Sequence, residues 1–167
     1  MKFTKDEIAG VLLTKLQPTS DDVLADIGCG SGRISAFFSP YVRKVYAVEN
    51  DAKAAQGAAQ YLSAYPNVEV LHMDGREFVS QHNYDLVFFG GTQGISEMLE
   101  HAVSRARRVV VNAARLEVAS SVITQMRQLG VFSEALILNI SKSYELAEGT
   151  AFKNLNPVFM VVACCSE

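Results

Sequence analysis

The apolar run Val23–Ile27 passes straight into Gly28-Cys29-Gly30-Ser31-Gly32. Three glycines in five residues behind a short buried strand admit few architectures. Glycine takes positive φ and lets backbone approach a ligand closely. A helix-like segment carrying Ile34, Phe37 and Phe38 follows directly. Such a strand–loop–helix unit belongs to open parallel sheets, which place ligands outside the carboxyl ends of their strands. The helix start behind the loop is expected to offer unpaired amides. Arg33 stands where a dinucleotide fingerprint, Gly-x-Gly-x-x-Gly, would put its third glycine, so that spacing is not met.

The rest of the chain repeats the alternation. A first helix is predicted from Thr4, where Thr4 and Glu7 have capping-box spacing, through Ile8, Val11, Leu12 and Leu16 to the stop at Pro18. Strands are predicted at 45–48, 68–71, Leu86–Phe89, 109–111, 132–140 and Val158–Cys164, and helices at 51–64, 95–103 and 116–129, the last closed by Gly130. Segments 45–48 and Leu86–Phe89 are apolar throughout rather than alternating, which marks strands covered on both faces. With no helix between them, the last two strands should pair antiparallel. The expected fold is Rossmann-like α/β: seven strands, mostly parallel, the last antiparallel, with helices on both faces. At 167 residues, a single domain over 1–167 is expected.

Charge and composition remove several classes of function. Fifteen basic residues against 18 acidic ones give a net charge of −3, without the basic surplus of a dedicated nucleic-acid binder. No apolar run approaches the roughly 20 residues of a membrane span. Cys29, Cys164 and Cys165 cannot build a disulfide framework, which points to a reduced, cytoplasmic protein. His72, His82 and His101 share no ligand spacing, so no protein-bound metal is expected.

Two acids extend the glycine-loop signal. Glu49 closes the second strand, 23 residues beyond Asp26 (49 − 26), where a carboxylate can accept both hydroxyls of a ribose and repel a 2′-phosphate. Asp74-Gly75 follows the third strand, at the edge where a purine would lie. Asp74 could accept a bond from an exocyclic amine, and Gly75 would admit the ring; as an isolated pair, Asp-Gly also makes an ordinary turn.

Together, the loop spacing, the acid ending strand two and the acid after strand three resemble the class I S-adenosylmethionine-dependent methyltransferases. That resemblance implies that Gly28, Cys29, Gly30, Ser31 and Gly32 hold the methionine part of S-adenosyl-L-methionine, Glu49 the ribose, and Asp74 and Gly75 the adenine. The Asn/Asp-Pro-Pro-aromatic motif of adenine- and amide-methylating families is missing after strand four, where Gly90-Gly91-Thr92-Gln93-Gly94 stands instead.

A narrower resemblance rests on Phe3-Thr4-Lys5-Asp6-Glu7-Ile8, Gly90-Gly91, Val111-Asn112-Ala113 followed by Leu116-Glu117, and Asn156-Pro157-Val158, in that order. This pattern is similar to the decarboxylating cobalt-precorrin carbon-15 methyltransferases of cobalamin biosynthesis. Ala114-Arg115 and Ser141-Lys142-Ser143-Tyr144 depart from it on the presumed substrate side. The resemblance implies a tetrapyrrole (cobalt-precorrin) substrate, methylated at carbon 15 with decarboxylation of an acetate side chain. Such a transfer relies on positioning and exclusion of water more than on a strong base. It further implies cofactor contacts from Thr4 and Gly90 and substrate contacts from Gly91 and Asn112. Arg115, Lys142 and Lys153 are expected to face the substrate's carboxylates, with Arg33 and Arg76 nearer the cofactor. A homo-oligomer, up to a tetramer, is expected because a macrocycle needs more wall than this chain provides. The competing expectations are a methyltransferase acting on another small molecule, RNA or protein, and a cofactor-binding subunit without catalysis.

Overall fold

Strands buried along their whole length are covered on both faces, and that sets the layers. In the computed structural model, which describes residues 6–165, β1 (Val23–Ile27) and β4 (Leu86–Phe89) are buried along their whole length. Around them run β2 (Lys44–Glu49), β3 (Val68–His72), β5 (Arg108–Ala113), β6 (Phe132–Leu138) and β9 (Val158–Cys164), in the sheet order β3-β2-β1-β4-β5-β9-β6. β9 is antiparallel to both of its neighbours. The expected seven-stranded sheet with its reversed last strand is therefore present. β6 and β9 pair antiparallel as expected, with β9 lying between β5 and β6.

Alternate strand residues feed opposite layers. Leu86 and Phe88 pack with Leu12 and Leu16 of α1 (Asp6–Leu16) and Phe38 of α2 (Arg33–Phe38). On the same face, Ala47 packs with Ala58 and Leu62 of α3 (Ala52–Leu62). Val87 and Phe89 face the other way. They meet Phe78 of α4 (Gly75–Gln81), Leu99 of α5 (Ile95–Arg105) and Met126 of α6 (Leu116–Gln128). Each such fully buried side chain contributes about 1.5–3 kcal/mol through burial.

Two elements depart from expectation. α4 fills a stretch where no helix is predicted; at seven residues with only Phe78 and Val79 buried, it is too short to show a helical period. A separate two-stranded ribbon, β7 (Ser141–Leu146) paired with β8 (Gly149–Asn154), occupies a segment for which no strand is predicted. β7 is exposed throughout and β8 nearly so, so neither shows the alternation that burial imposes on a strand. Thr4, and with it the expected capping box, lies outside the described residues.

Candidate cofactor cleft at the carboxyl ends of the strands

β1 leads to β2 and β3 on one side, while β4 and β5 lie on the other, so the sheet's topological switch falls between β1 and β4. Ligands of open α/β sheets bind at that point. The strand tips there enclose an open cleft of about 730 Å³, solvent-filled mouth included. The end of β1 supplies Ile27 and Gly28, the end of β2 supplies Val48, Glu49 and Asn50, and the turn from β3 into α4 supplies Met73 to Arg76. The β4 side supplies Gly91, Thr92 and Gln93, and α5 supplies Met98.

Glycine is required at the cleft floor. Gly28 has φ +75°, and a Cβ there would lie 2.9 Å from the Gly91 nitrogen and 3.1 Å from its Cα. Both obstacles are backbone and cannot swing aside. The tips of β1 and β4 thus touch main chain to main chain, leaving the space above them free. At Gly75, a Cβ would strike the Ile27 Cγ2 at 2.7 Å and the Met98 Sδ at 2.9 Å.

Glu49 stands half-buried beside this floor. Its Oε2 accepts from the Gly30 N–H at 2.9 Å and its Oε1 from the Asp51 N–H at 3.0 Å. Two backbone donors therefore fix the carboxylate, and its remaining lone pairs are free to accept hydroxyls. The glycine loop's own amides are mostly engaged. The Gly28 and Cys29 amides donate to the Val48 carbonyl, that of Gly30 to Glu49, and that of Gly32 to the Cys29 carbonyl. The loop spends these donors on its own tight path, so its contribution to a ligand is shape.

Asp74 caps α4, its Oδ1 accepting from the Arg76 N–H at 2.8 Å. The Arg76 guanidinium donates Nε to Oδ1 at 3.1 Å and Nη2 to Oδ2 at 2.8 Å. Hydrogen bonds from this guanidinium hold the Asp74 carboxyl at a pKa of about 2. The turn-forming role and the acceptor role thus coexist in one residue.

Beneath the loop, the Asp26 carboxyl is 1% exposed. Ser35 Oγ donates to its Oδ2 at 2.6 Å, while Oδ1 meets no protein partner. Burial pushes its pKa up to about 7, against the Ser35 bonds that lower it and with the nearby Glu49 charge that raises it. Burial also pushes the Cys29 thiol well up, which keeps it a protonated packing group.

The expected site residues divide accordingly. Gly28, Glu49, Asp74, Gly75 and Gly91 line the cleft; Cys29, Gly30, Ser31, Gly32 and Gly90 shape the turns behind it. Asn112, on β5, keeps a buried Oδ1 without a protein partner. Arg115 is exposed at the start of α6. Lys142 lies opposite Lys153 across the β7–β8 ribbon and pairs with Glu7 of α1 at 2.6 Å. The neighbouring Asp6 of α1 reaches Arg33 behind the glycine loop at 3.7 Å. Sequence reasoning assigned no cofactor role to Asn50, Met73, Thr92, Gln93 or Met98. The rule that ligands meet strand carboxyl ends would have found all but Met98, which enters from a helix.

The arrangement suits a nucleoside: an acceptor-only carboxylate beside the floor, a second one at the purine edge, and Ile27, Met73 and Met98 as apolar walls. Among the described residues no helix is long and apolar enough to cross a membrane, and no three His, Cys, Asp or Glu side chains cluster as a metal site.

Several known proteins resemble this chain. A family model described as a precorrin methyltransferase domain matches residues 1–164. A probable cobalt-precorrin-6B C(15)-methyltransferase (decarboxylating) of Archaeoglobus fulgidus is 54% identical over 160 residues, 96% of each chain. Among solved structures, a precorrin 8W decarboxylase from Methanobacterium thermoautotrophicum superposes with a TM-score of 0.91 at 26% identity, covering 98% of this chain and 92% of that one. A precorrin-6Y C5,15-methyltransferase from Geobacter metallireducens gives 0.90 at 26% identity, covering 97% and 90%. The sheet is that of the class I S-adenosylmethionine-dependent methyltransferases.

Proposed function

The chain belongs to the precorrin methyltransferase domain family, and from that premise we propose that residues 1–167 act as one cytoplasmic domain that methylates carbon 15 of a cobalt-precorrin and decarboxylates its acetate side chain. The observation that carries this reading is the 54% identity, spread over 96% of both chains, to the Archaeoglobus relative. S-Adenosyl-L-methionine, when bound, supplies an electrophilic methyl on a positively charged sulfur.

The chain's residues hold and orient. Glu49, fixed by two backbone amides, accepts the ribose hydroxyls; Asp74 and Gly75 take the purine edge; Gly28 and Gly91 leave the floor bare. Both cleft carboxylates are committed as acceptors, so the work of the cleft is positioning and exclusion of water rather than proton transfer. At carbon 15 the ring provides the electron pair of the new carbon–carbon bond to the methyl that the bound cofactor would supply, while the pair of the old bond would stay on the sulfur. The carboxylate of the acetate side chain then leaves as carbon dioxide, the electron pair of the broken carbon–carbon bond passes into the macrocycle, and a proton converts the methylene left behind to a methyl group. Asn112, with its unpartnered Oδ1, meets a substrate donor, and Arg115, Lys142 and Lys153 meet its carboxylates.

Product mass after incubation with cobalt-precorrin-6B and S-adenosylmethionine tests this. One methyl gained and one carbon dioxide lost is the expected result. Binding of S-adenosylhomocysteine without turnover overturns it in favour of a cofactor-binding subunit, and turnover only on RNA or an unrelated acceptor overturns the substrate.

Glu49→Gln is expected to weaken S-adenosylhomocysteine about 10- to 100-fold by calorimetry, the range of one lost charge-assisted bond of about 1.5–3 kcal/mol. The new amide turns a donor toward one of the two N–H groups that Glu49 now accepts. Unchanged affinity would remove Glu49 from the site.

The expected homo-oligomer draws support from Ile137 on the edge strand β6 and from Leu146 and Phe152 on the ribbon, which are 60%, 58% and 69% exposed. Phe152 pairs with Ser143 and Leu146 with Gly149, so the two lie on opposite faces of the ribbon, and the more exposed Phe152 is taken as the associating side chain. Phe152→Glu should lower the sedimenting mass to that of a monomer; an unchanged mass would place the interface elsewhere.

A further inference from the structure

Arg76 is the most engaged side chain of the cleft rim. It opens α4 one residue after Gly75 and lines the cleft with Asp74. Its Nε and Nη2 grip the two oxygens of Asp74 at 3.1 and 2.8 Å, and its Nη1 reaches the Glu97 Oε2 on α5 at 3.4 Å. The planar guanidinium is thus held between two helices. Gly94, at the start of α5, lies beside its stem: a Cβ there would rest in ordinary contact with the Arg76 Cδ at 3.5 Å.

An ionised carboxylate has about four lone-pair positions and no donor. On Asp74, Oδ1 already accepts two bonds, from the Arg76 N–H and Nε, and Oδ2 accepts one, from Nη2. One position remains, on Oδ2. A rigid fork fixes where that position points in a way that a lysine point charge cannot.

We propose that Arg76 is a specificity-determining positioning residue, which holds Asp74 as a fixed single acceptor so that the cleft selects a 6-aminopurine over a 6-oxopurine. This rests on the reading of Asp74 as the adenine contact. An exocyclic amine donates into the remaining position. A 6-oxo group puts oxygen against oxygen, and Asp74 cannot relieve that contact by rotating or by taking a proton, because the guanidinium opposes both. A site whose polar group is left unpaired discriminates strongly, whereas one that can readjust does not.

The test is calorimetry of wild type, Arg76→Ala and Arg76→Lys with S-adenosylhomocysteine and with S-inosylhomocysteine, its 6-oxo counterpart. Wild type is expected to prefer the adenosyl compound by about 10- to 100-fold, the range of one hydrogen bond to a charged group. In Arg76→Ala that ratio should fall at least about fivefold, and Arg76→Lys, which keeps the charge without the fork, should lie between. Arg76 is exposed, so both variants leave the core intact. An unchanged ratio in Arg76→Ala, including equal weakening of both compounds, overturns the proposal and leaves the cofactor site standing. Failure of wild type to bind S-adenosylhomocysteine overturns the cofactor reading and this role with it.

Discussion

Gly28→Ala is expected to lose S-adenosylhomocysteine binding by more than about 100-fold and to lower the melting temperature as well. Two independent penalties fall on one added methyl. At φ +75° an L side chain sits in the left-handed region, at a cost of about 1–2 kcal/mol. The same Cβ would stand 2.9 Å from the Gly91 nitrogen, so β1 and β4 must part at their tips. The displacement opens at the cleft floor, where the Ile27 carbonyl accepts the Gly90 N–H at 2.9 Å. Gly30→Ala serves as the control, because no atom lies within 4 Å of a Cβ there, although its φ is also positive at +55°. It should show the backbone strain without the collision and keep most of the affinity. Calorimetry on the two variants separates the two penalties; equal losses in both would mean that the approach of the two strand tips does not matter.

Asp26→Asn should stabilise the fold more at pH 8 than at pH 5. The native pKa, raised to about 7 by burial, lies above the ordinary aspartate value of 3.8. Below 3.8 the carboxyl is protonated in both states and costs nothing. As pH rises from 3.8 to about 7 the unfolded chain releases its proton first, so wild-type stability falls, and above about 7 the cost is complete. Asparagine keeps an oxygen for Ser35 and removes this titration. Its own buried amide carries a pH-independent penalty, so the diagnostic is the pH trend rather than the gap at one pH. Between pH 5 and pH 8 the variant should gain about 3 kcal/mol on wild type, because each pH step below the native pKa costs the wild type about 1.36 kcal/mol. Urea unfolding at both values measures it, and parallel curves would show that Asp26 does not titrate in that window.

Much of the fold was legible because its signals are local. The five parallel strands β1 to β5 are each short and rich in aliphatic residues, and the turn after β1 carries its glycines in sequence. α4 was not legible, since seven residues with two buried positions make no period. The β7–β8 ribbon was not legible because it buries almost nothing, and burial is what writes alternation into a strand. In the site, Glu49 and Asp74 were readable from their places at strand ends. Asp26 showed only as the acid before the glycines. Its sealed environment depends on Ser35, nine positions away, and on the helix that carries it.

The order of amino acids by itself determined the parallel sheet, the glycine turn and the two strand-end acids. Each of these follows from side-chain size, charge or φ preference within a few residues. Only the tertiary structure decided that Gly28 meets Gly91, that Arg76 reaches from Asp74 to Glu97, and that Lys142 is held by Glu7. Gly28 and Gly91, Arg76 and Glu97, and Lys142 and Glu7 are each distant in the chain, and no local preference encodes a contact that exists only once the layers have packed.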